Sequence, residues 1–90
     1  MISKEILCAI GAKGAASILD VLATGPQRPS DIVRISGVSE PTSFSRIKKL
    51  KKSGVITECI LYRKDRSYKG YRLTDYGEKI VVFLSRGDAK

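Results

Sequence analysis

The sequence predicts a mainly helical α+β fold in one domain over residues 1–90, with a three-helix core, a two-stranded hairpin and a C-terminal helix. Three observations predict it. Apolar residues recur at helical spacing as far as Leu50, punctuated by Gly11, Gly14, Gly25-Pro26, Gly37 and Gly54. From Val55 the chain turns β-rich (Val55 to Tyr62), passes a polar tip from Arg63 to Ser67, and returns as a strand from Tyr68 to Leu73. The surplus charge is confined to Arg46–Arg72, where ten Lys/Arg face two acids and account for the whole net charge of +8.

Ser3 is placed to cap a first helix whose apolar face is Ile6, Leu7 and Ile10. Gly11 and Gly14 leave open whether the next segment, with Ala15, Ile18, Leu19 and Leu22, is a second helix or a bent continuation. Gly25-Pro26 ends it, because proline cannot donate to the helix ladder. A short helix is predicted from about Ser30 to Ser36, with Ser30 as cap, Asp31 at the positive end of the dipole, and Ile32 and Ile35 inward. Gly37 allows a tight turn and Val38 fills the space between two helices.

Ser39 then caps a helix over about 40–53, with Glu40 and Pro41 in the first turn and Gly54 closing it in the left-handed conformation. Phe44, Ile47 and Leu50 mark its buried stripe. Thr42, Ser45, Lys49 and Lys52 point the opposite way, with Arg46 and Lys48 on the flanks. The first strand carries apolar residues on both faces (Ile56 and Ile60, Cys59 and Leu61), and only one face has an evident cover. Thr74 caps a last helix from Asp75 to about Leu84. Its stripe (Tyr76, Ile80, Val81, Val82, Phe83, Leu84) is wider than so small a core needs, and a second copy of the chain is the most economical cover. Residues 1–12 and 75–86 are therefore expected to dimerise, through Ile6, Leu7, Ile10, Ile80, Val81, Phe83 and Leu84.

The composition excludes several classes. With no histidine, the commonest metal ligand and general base is missing, and no carboxylate pair, Cys/His arrangement or phosphate-cradling glycine loop appears. The expectation is a non-enzyme without metal or cofactor. Cys8 and Cys59 have apolar neighbours and no zinc spacing, so both read as small buried hydrophobes, with a disulfide as the alternative. No apolar run approaches the ~20 residues of a membrane span, and the opening residues lack a secretory pattern. An intracellular, cytoplasmic and nucleoid-associated protein is expected, where nucleic acid is the abundant polyanion.

A concentrated cationic stretch that reads as helix plus hairpin is the reading pair of a winged helix-turn-helix, with double-stranded DNA as partner. The helix over 40–53 would enter the major groove, bringing Thr42, Ser43, Ser45, Arg46 and Lys49 toward base edges. Arg46 is the first choice as base reader, because its planar fork matches guanine O6 and N7. Lys48, Lys51 and Lys52 would hold phosphates, and the wing over 62–70, with Arg63, Lys64, Arg66, Tyr68 and Lys69, would lie on the adjacent minor groove or backbone.

Three stretches resemble the winged helix-turn-helix transcription regulators of the HxlR, MarR and ArsR group. LDVLATGPQRPSDIVRI (19–35) resembles the first helix, break and positioning helix; GVSEPTSFSRIKKLKKSGVI (37–56) the turn and recognition helix; YRLTDYG (71–77) the exit from the wing. The resemblance implies a sequence-specific transcription regulator, most simply a repressor acting as a homodimer. It leaves a small-molecule effector as a partner class to which no residue points. Metal sensing of the ArsR type finds no ligands in this sequence. The competing readings are a nonspecific architectural DNA-binding protein of the same fold, and a winged-helix module that binds protein or RNA.

Overall fold

In the computed structural model, which describes residues 4–88, five helices and a two-stranded sheet follow the expected order. They are α1 (Lys4–Gly11), α2 (Ala15–Ala23), α3 (Pro29–Ser36), α4 (Glu40–Lys52), β1 (Ile56–Arg63), β2 (Arg66–Leu73) and α5 (Asp75–Asp88). The glycine question is settled in favour of two helices. Gly14, at φ 88°, is the N-cap of α2, a left-handed backbone that turns the chain between α1 and α2. The expected cap at Ser3, like the first three residues of the proposed dimerisation segment, lies outside the described residues.

The core forms where α2 crosses under the other helices. Ile18, Leu19 and Leu22 of α2 meet Ile32 of α3, Ile47 and Leu50 of α4, Val55, Ile56 and Leu73 at the base of the sheet, and Ile80 of α5. Ile6, Ile10, Tyr71, Val81 and Leu84 pack around this cluster as half-buried neighbours. Burying each large aliphatic side chain contributes about 1.5–3 kcal/mol, so α2, α4 and the sheet base are held as one unit.

Four local expectations change. α3 begins at Pro29, with Arg28 rather than Ser30 at the N-cap, and Ser30 is exposed. Ile35 is also exposed: its angle is inward, but it stands in the last turn of a two-turn helix. Asp31 does more than favour the dipole, since its carboxylate receives Arg28 Nε at 3.1 Å and Arg34 Nη2 at 3.3 Å. Ser39 occupies the N-cap of α4 as expected, but its side chain makes no capping bond there.

The hairpin is joined through Lys64 and Asp65, both at positive φ (47° and 65°), the backbone of a two-residue type I′ turn that matches the strand twist. The register runs from Ile56 opposite Leu73 to Arg63 opposite Arg66. Gln27 adds a single bridge on the outer edge of β2, exchanging both backbone hydrogen bonds with Tyr71 at 3.0 and 2.9 Å. The missing cover for the second face comes from the hairpin itself and this edge. A Cβ on Gly70 would stand 2.7 Å from Leu61 Cδ1 and 3.0 Å from the Gln27 carbonyl, so Leu61 lies across the glycine.

Thr74 caps α5 as expected: its Oγ1 accepts from Gly77 N at 2.9 Å and donates to the Gly54 carbonyl at 2.7 Å. A Cβ on Gly77 would fall 2.0 Å from the Val55 carbonyl oxygen, so only glycine lets α5 start against the end of α4. α5 continues to Asp88, beyond the expected end near Leu84.

Candidate nucleic-acid interface

α4 is fixed by its inward stripe, which is Ser43, Ile47 and Leu50 rather than Phe44, Ile47 and Leu50. Ser43 is wholly buried and its hydroxyl donates to the Val38 carbonyl at 3.2 Å, so it is not placed to meet a base. Phe44 instead is 45% exposed. The correction rotates the helix by roughly 30°, at about 100° per residue. The direction opposite the core now falls on Pro41, Ser45, Lys48 and Lys52, all exposed.

Thr42 and Lys49 move to the flank facing α1 and the loop after it. Thr42 is half-buried, with its Cγ2 3.8 Å from a Cβ built on Gly14. Arg46 is on the same flank and donates from Nε to the Lys13 carbonyl at 2.8 Å, which aims its guanidinium along the helix edge and uses one of its donors. The other flank meets the hairpin: Lys51 bonds Glu58 on β1, and Glu58 also receives Lys69 Nζ at 3.5 Å. The Lys51 hydrogen bond, more than the nearby Lys69 charge, holds the Glu58 carboxyl below its ordinary range. Tyr71 first and Glu58 second hold Lys69 above its own.

At the hairpin tip Arg63 and Arg66 stand directly opposite each other and exposed, a like-charge pair that costs stability in an isolated protein. They share a recess with Lys64, Tyr68 and Arg28. Arg28 was outside the charged window and escaped the sequence reading. Its guanidinium lies 4.9 Å above the Tyr68 ring while it bonds Asp31, so one residue ties the start of α3 to the wing. Its signal in the sequence was slight, a single arginine before Pro29. The adjacent recess, lined by Arg28, Pro29, Ser30, Val33, Glu40, Phe44, Tyr68 and Lys69, continues from this point to the N-terminal half of α4. The recess thus joins the hairpin to the Glu40 and Phe44 side of α4, and Lys48, Lys49 and Lys52 do not line it.

Lys48, Lys49, Lys52, Arg63, Lys64 and Arg66 make no ion pair among the described residues, in contrast to Lys51 and Lys69 at Glu58 and Arg28 and Arg34 at Asp31. Unpaired cations grouped on adjacent protrusions present a field that a polyanion neutralises. The described residues contain no group of three or more His, Cys, Asp or Glu placed to hold a metal ion, and no helix among them is long and apolar enough to cross a membrane.

The proposed dimer residues divide. Ile80 is 2% exposed and belongs to the chain's own core, so it is not available to a second copy. Ile6, Ile10, Val81 and Leu84 are half-buried against that core, whereas Leu7 and Phe83 stand out, joined by Val82, which is not among the expected dimer residues. Cys8 is exposed and Cys59 half-buried, and both are free thiols, against the expectation of two buried side chains. Cys8 falls on the outer side of α1, because Ala9, with Ile6 and Ile10 half-buried beside it, takes the core side.

The sequence profile of the HxlR-like helix-turn-helix family matches residues 9–86. Among solved structures, the reduced form of the transcriptional regulator YodB from Bacillus subtilis is 22% identical, covers 99% of this chain and 90% of its own, and superposes with a TM-score of 0.79. The smu.1704 protein of Streptococcus mutans is 27% identical over 87% of this chain and 79% of its own, with a TM-score of 0.70. A homodimeric winged helix-turn-helix DNA-binding domain of Mb0332 from Mycobacterium bovis is 17% identical, covers 94% of this chain and 76% of its own, and gives a TM-score of 0.75. Among curated proteins none is similar enough in sequence to match.

Proposed function

The chain belongs to the HxlR-like helix-turn-helix family, and from that premise we propose that it is a sequence-specific transcription regulator, most simply a repressor, that grips double-stranded DNA with α4 and the wing. The observation that carries the reading is the set of six cations on α4 and the hairpin tip that make no ion pair among the described residues, with recesses lined by Arg28 and Tyr68 joining the tip to the N-terminal half of α4. α4 fits the major groove, which admits one helix. Ser45 on its outer face reaches base edges, and Arg46, aimed by the Lys13 carbonyl, does so through its two free Nη groups. Lys48, Lys49 and Lys52 bind phosphates, which fix register without carrying sequence. Arg63, Lys64 and Arg66, with Arg28 behind them, follow the neighbouring minor groove or backbone, where the duplex offsets the repulsion between the paired arginines.

Leu7, Val82 and Phe83, at 54%, 52% and 62% exposure, support a homodimer closed through α1 and α5; the Mycobacterium bovis domain is itself homodimeric. A two-fold dimer places its recognition helices roughly 34–36 Å apart, which calls for a pseudo-palindromic site. Such a protein works on cytoplasmic, nucleoid DNA.

Selection of bound fragments from random duplexes, followed by footprinting, tests this reading. Two protected half-sites about one helical turn apart are expected, and unselective recovery of fragments would sink it. On the selected site, Arg46→Ala is expected to cost about 1–3 kcal/mol there and much less on unrelated duplex. An equal loss on both would leave Arg46 a phosphate contact.

A further inference from the structure

Phe44 is 45% exposed on α4, because Ser43 takes the inward position and satisfies its hydroxyl on the Val38 carbonyl. Apolar ring surface left in water costs free energy in the isolated chain. At about 100° per residue, Phe44 stands about 40° from Lys48, about 60° from Pro41 and about 90° from the centre of the buried stripe. Pro41, Ser45 and Lys48 are exposed as well. Residues three and four apart are neighbours on a helix surface, so Pro41, Phe44 and Lys48 form one ridge, apolar at its N-terminal end and cationic at the other. Long side chains on a helix lean toward its N-terminus, which carries the ring toward Pro41. That is the end of a recognition helix that meets base edges. The surrounding charge selects the occupant of the ridge. Lys48, Lys49 and Lys52 make no ion pair among the described residues. An apolar protein surface laid on Phe44 would leave these cations without counter-charge, whereas a duplex brings phosphates to them. Within the major groove the apolar feature is the C5 methyl of thymine.

We propose that Phe44 is a specificity-determining residue that packs, with Pro41 beside it, on thymine methyls in the major groove. The inference rests on the reading of α4 as the recognition helix and adds a base preference that its hydrogen-bonding side chains do not supply. An uncharged ring contributes nothing to the hold on phosphates, so its effect falls on discrimination between sequences and not on affinity for duplex in general.

The test exchanges thymine for deoxyuridine, one position at a time, in the site recovered by selection, which removes the methyl and keeps every hydrogen-bonding group. Affinity of the full chain is read by fluorescence anisotropy at fixed salt. At one or more thymines of each half-site the exchange is expected to weaken the unsubstituted protein about 4-fold, or about 0.8 kcal/mol, the contribution of one buried carbon group. Phe44→Ala is expected to bind the thymine and deoxyuridine sites within about 1.5-fold of each other, and unrelated duplex within about 2-fold of the unsubstituted protein. Phe44→Leu, which keeps an apolar side chain on the ridge, is expected to retain about 2-fold discrimination, and it decides the matter if the alanine variant does not fold. A selected half-site without thymine, or one at which no exchange weakens the unsubstituted protein, overturns the inference and leaves the ring to a protein partner. A methyl effect of equal size in the unsubstituted chain and in the Phe44 variants assigns the methyl to another side chain and overturns it too. Unselective recovery of fragments sinks the DNA reading itself, whereas a selected site blind to the methyl sinks the role of Phe44 alone, so the two failures are distinct.

Discussion

The recognition helix and the wing carry comparable charge but are secured in opposite ways. α4 sinks Ser43, Ile47 and Leu50 into the core and is tied on both flanks, by Arg46 to the Lys13 carbonyl and by Lys51 to Glu58. The outer hairpin leaves the body: Ile60 and Tyr62 are 57% and 80% exposed, and the Arg28–Tyr68 stack is its tether to the start of α3. A helix positioned by folding reads at a fixed distance and angle, whereas an arm positioned mostly by its own cross-strand pairs settles against whatever backbone it meets. Damage to α4 should therefore cost both stability and binding, and damage to the wing tip binding alone.

The largest expected effect sharpens the first half of that contrast. Leu50→Ala removes a fully buried side chain under α4 and is expected to cost about 2–5 kcal/mol in urea unfolding. Tyr62→Ala on the hairpin is expected to change stability by no more than about 0.5 kcal/mol. Comparable losses from the two would mean that the wing is part of the folding unit and that the contrast is wrong.

A smaller effect addresses the second half. Replacing Arg63 and Arg66 together by alanine should flatten the slope of log K against log salt by about 1.8 on duplex DNA, since each phosphate contact contributes about 0.9. The same change relieves the like-charge pair and is expected to leave the melting temperature equal or slightly raised. An unchanged salt slope, measured by anisotropy over a salt series, would take the wing off the DNA.

The order of elements, the Gly37 turn, the Thr74 cap and the hairpin span were legible because each rests on local chemistry: a capping hydroxyl, a left-handed glycine, a switch from helical to β-rich composition. What the sequence misplaced depends on tertiary geometry. Residue type favoured Phe44 over Ser43 for the inward position, yet α4 buries the small hydroxyl that Val38 can satisfy and turns the ring to the flank. That single exchange shifted the outward face toward Lys48 and away from Thr42. Arg28 was missed because its role comes from Tyr68, forty residues later in the chain, and no periodicity links the two. An apolar stripe on a helix does not disclose which part of it the chain's own core consumes, and Ile80 belongs to that core rather than to the expected interface.

The smallest expected effect concerns the two carboxylates that hold the joints on either side of the wing. Arg28, then Arg34, keep the Asp31 carboxyl below its ordinary value of 3.8, and Lys51 keeps that of Glu58 below 4.5. Both groups titrate lower when folded than when unfolded, so their contribution is complete above those ordinary values and fades as pH falls through the folded ones. Glu58 is partly exposed and its share is screened by solvent, which leaves Asp31, with a side chain only 10% exposed, as the main term. The melting temperature should thus be flat through the neutral range in these groups and decline below about pH 4. Asp31→Asn should start from a lower plateau and lose less on acidification, because an amide has no proton to gain. If the acid limb of the melting curve were as steep in Asp31→Asn as in the unsubstituted chain, the joint between α3 and the wing would not depend on the Asp31 charge, and Arg28 would be held at Tyr68 by the ring alone.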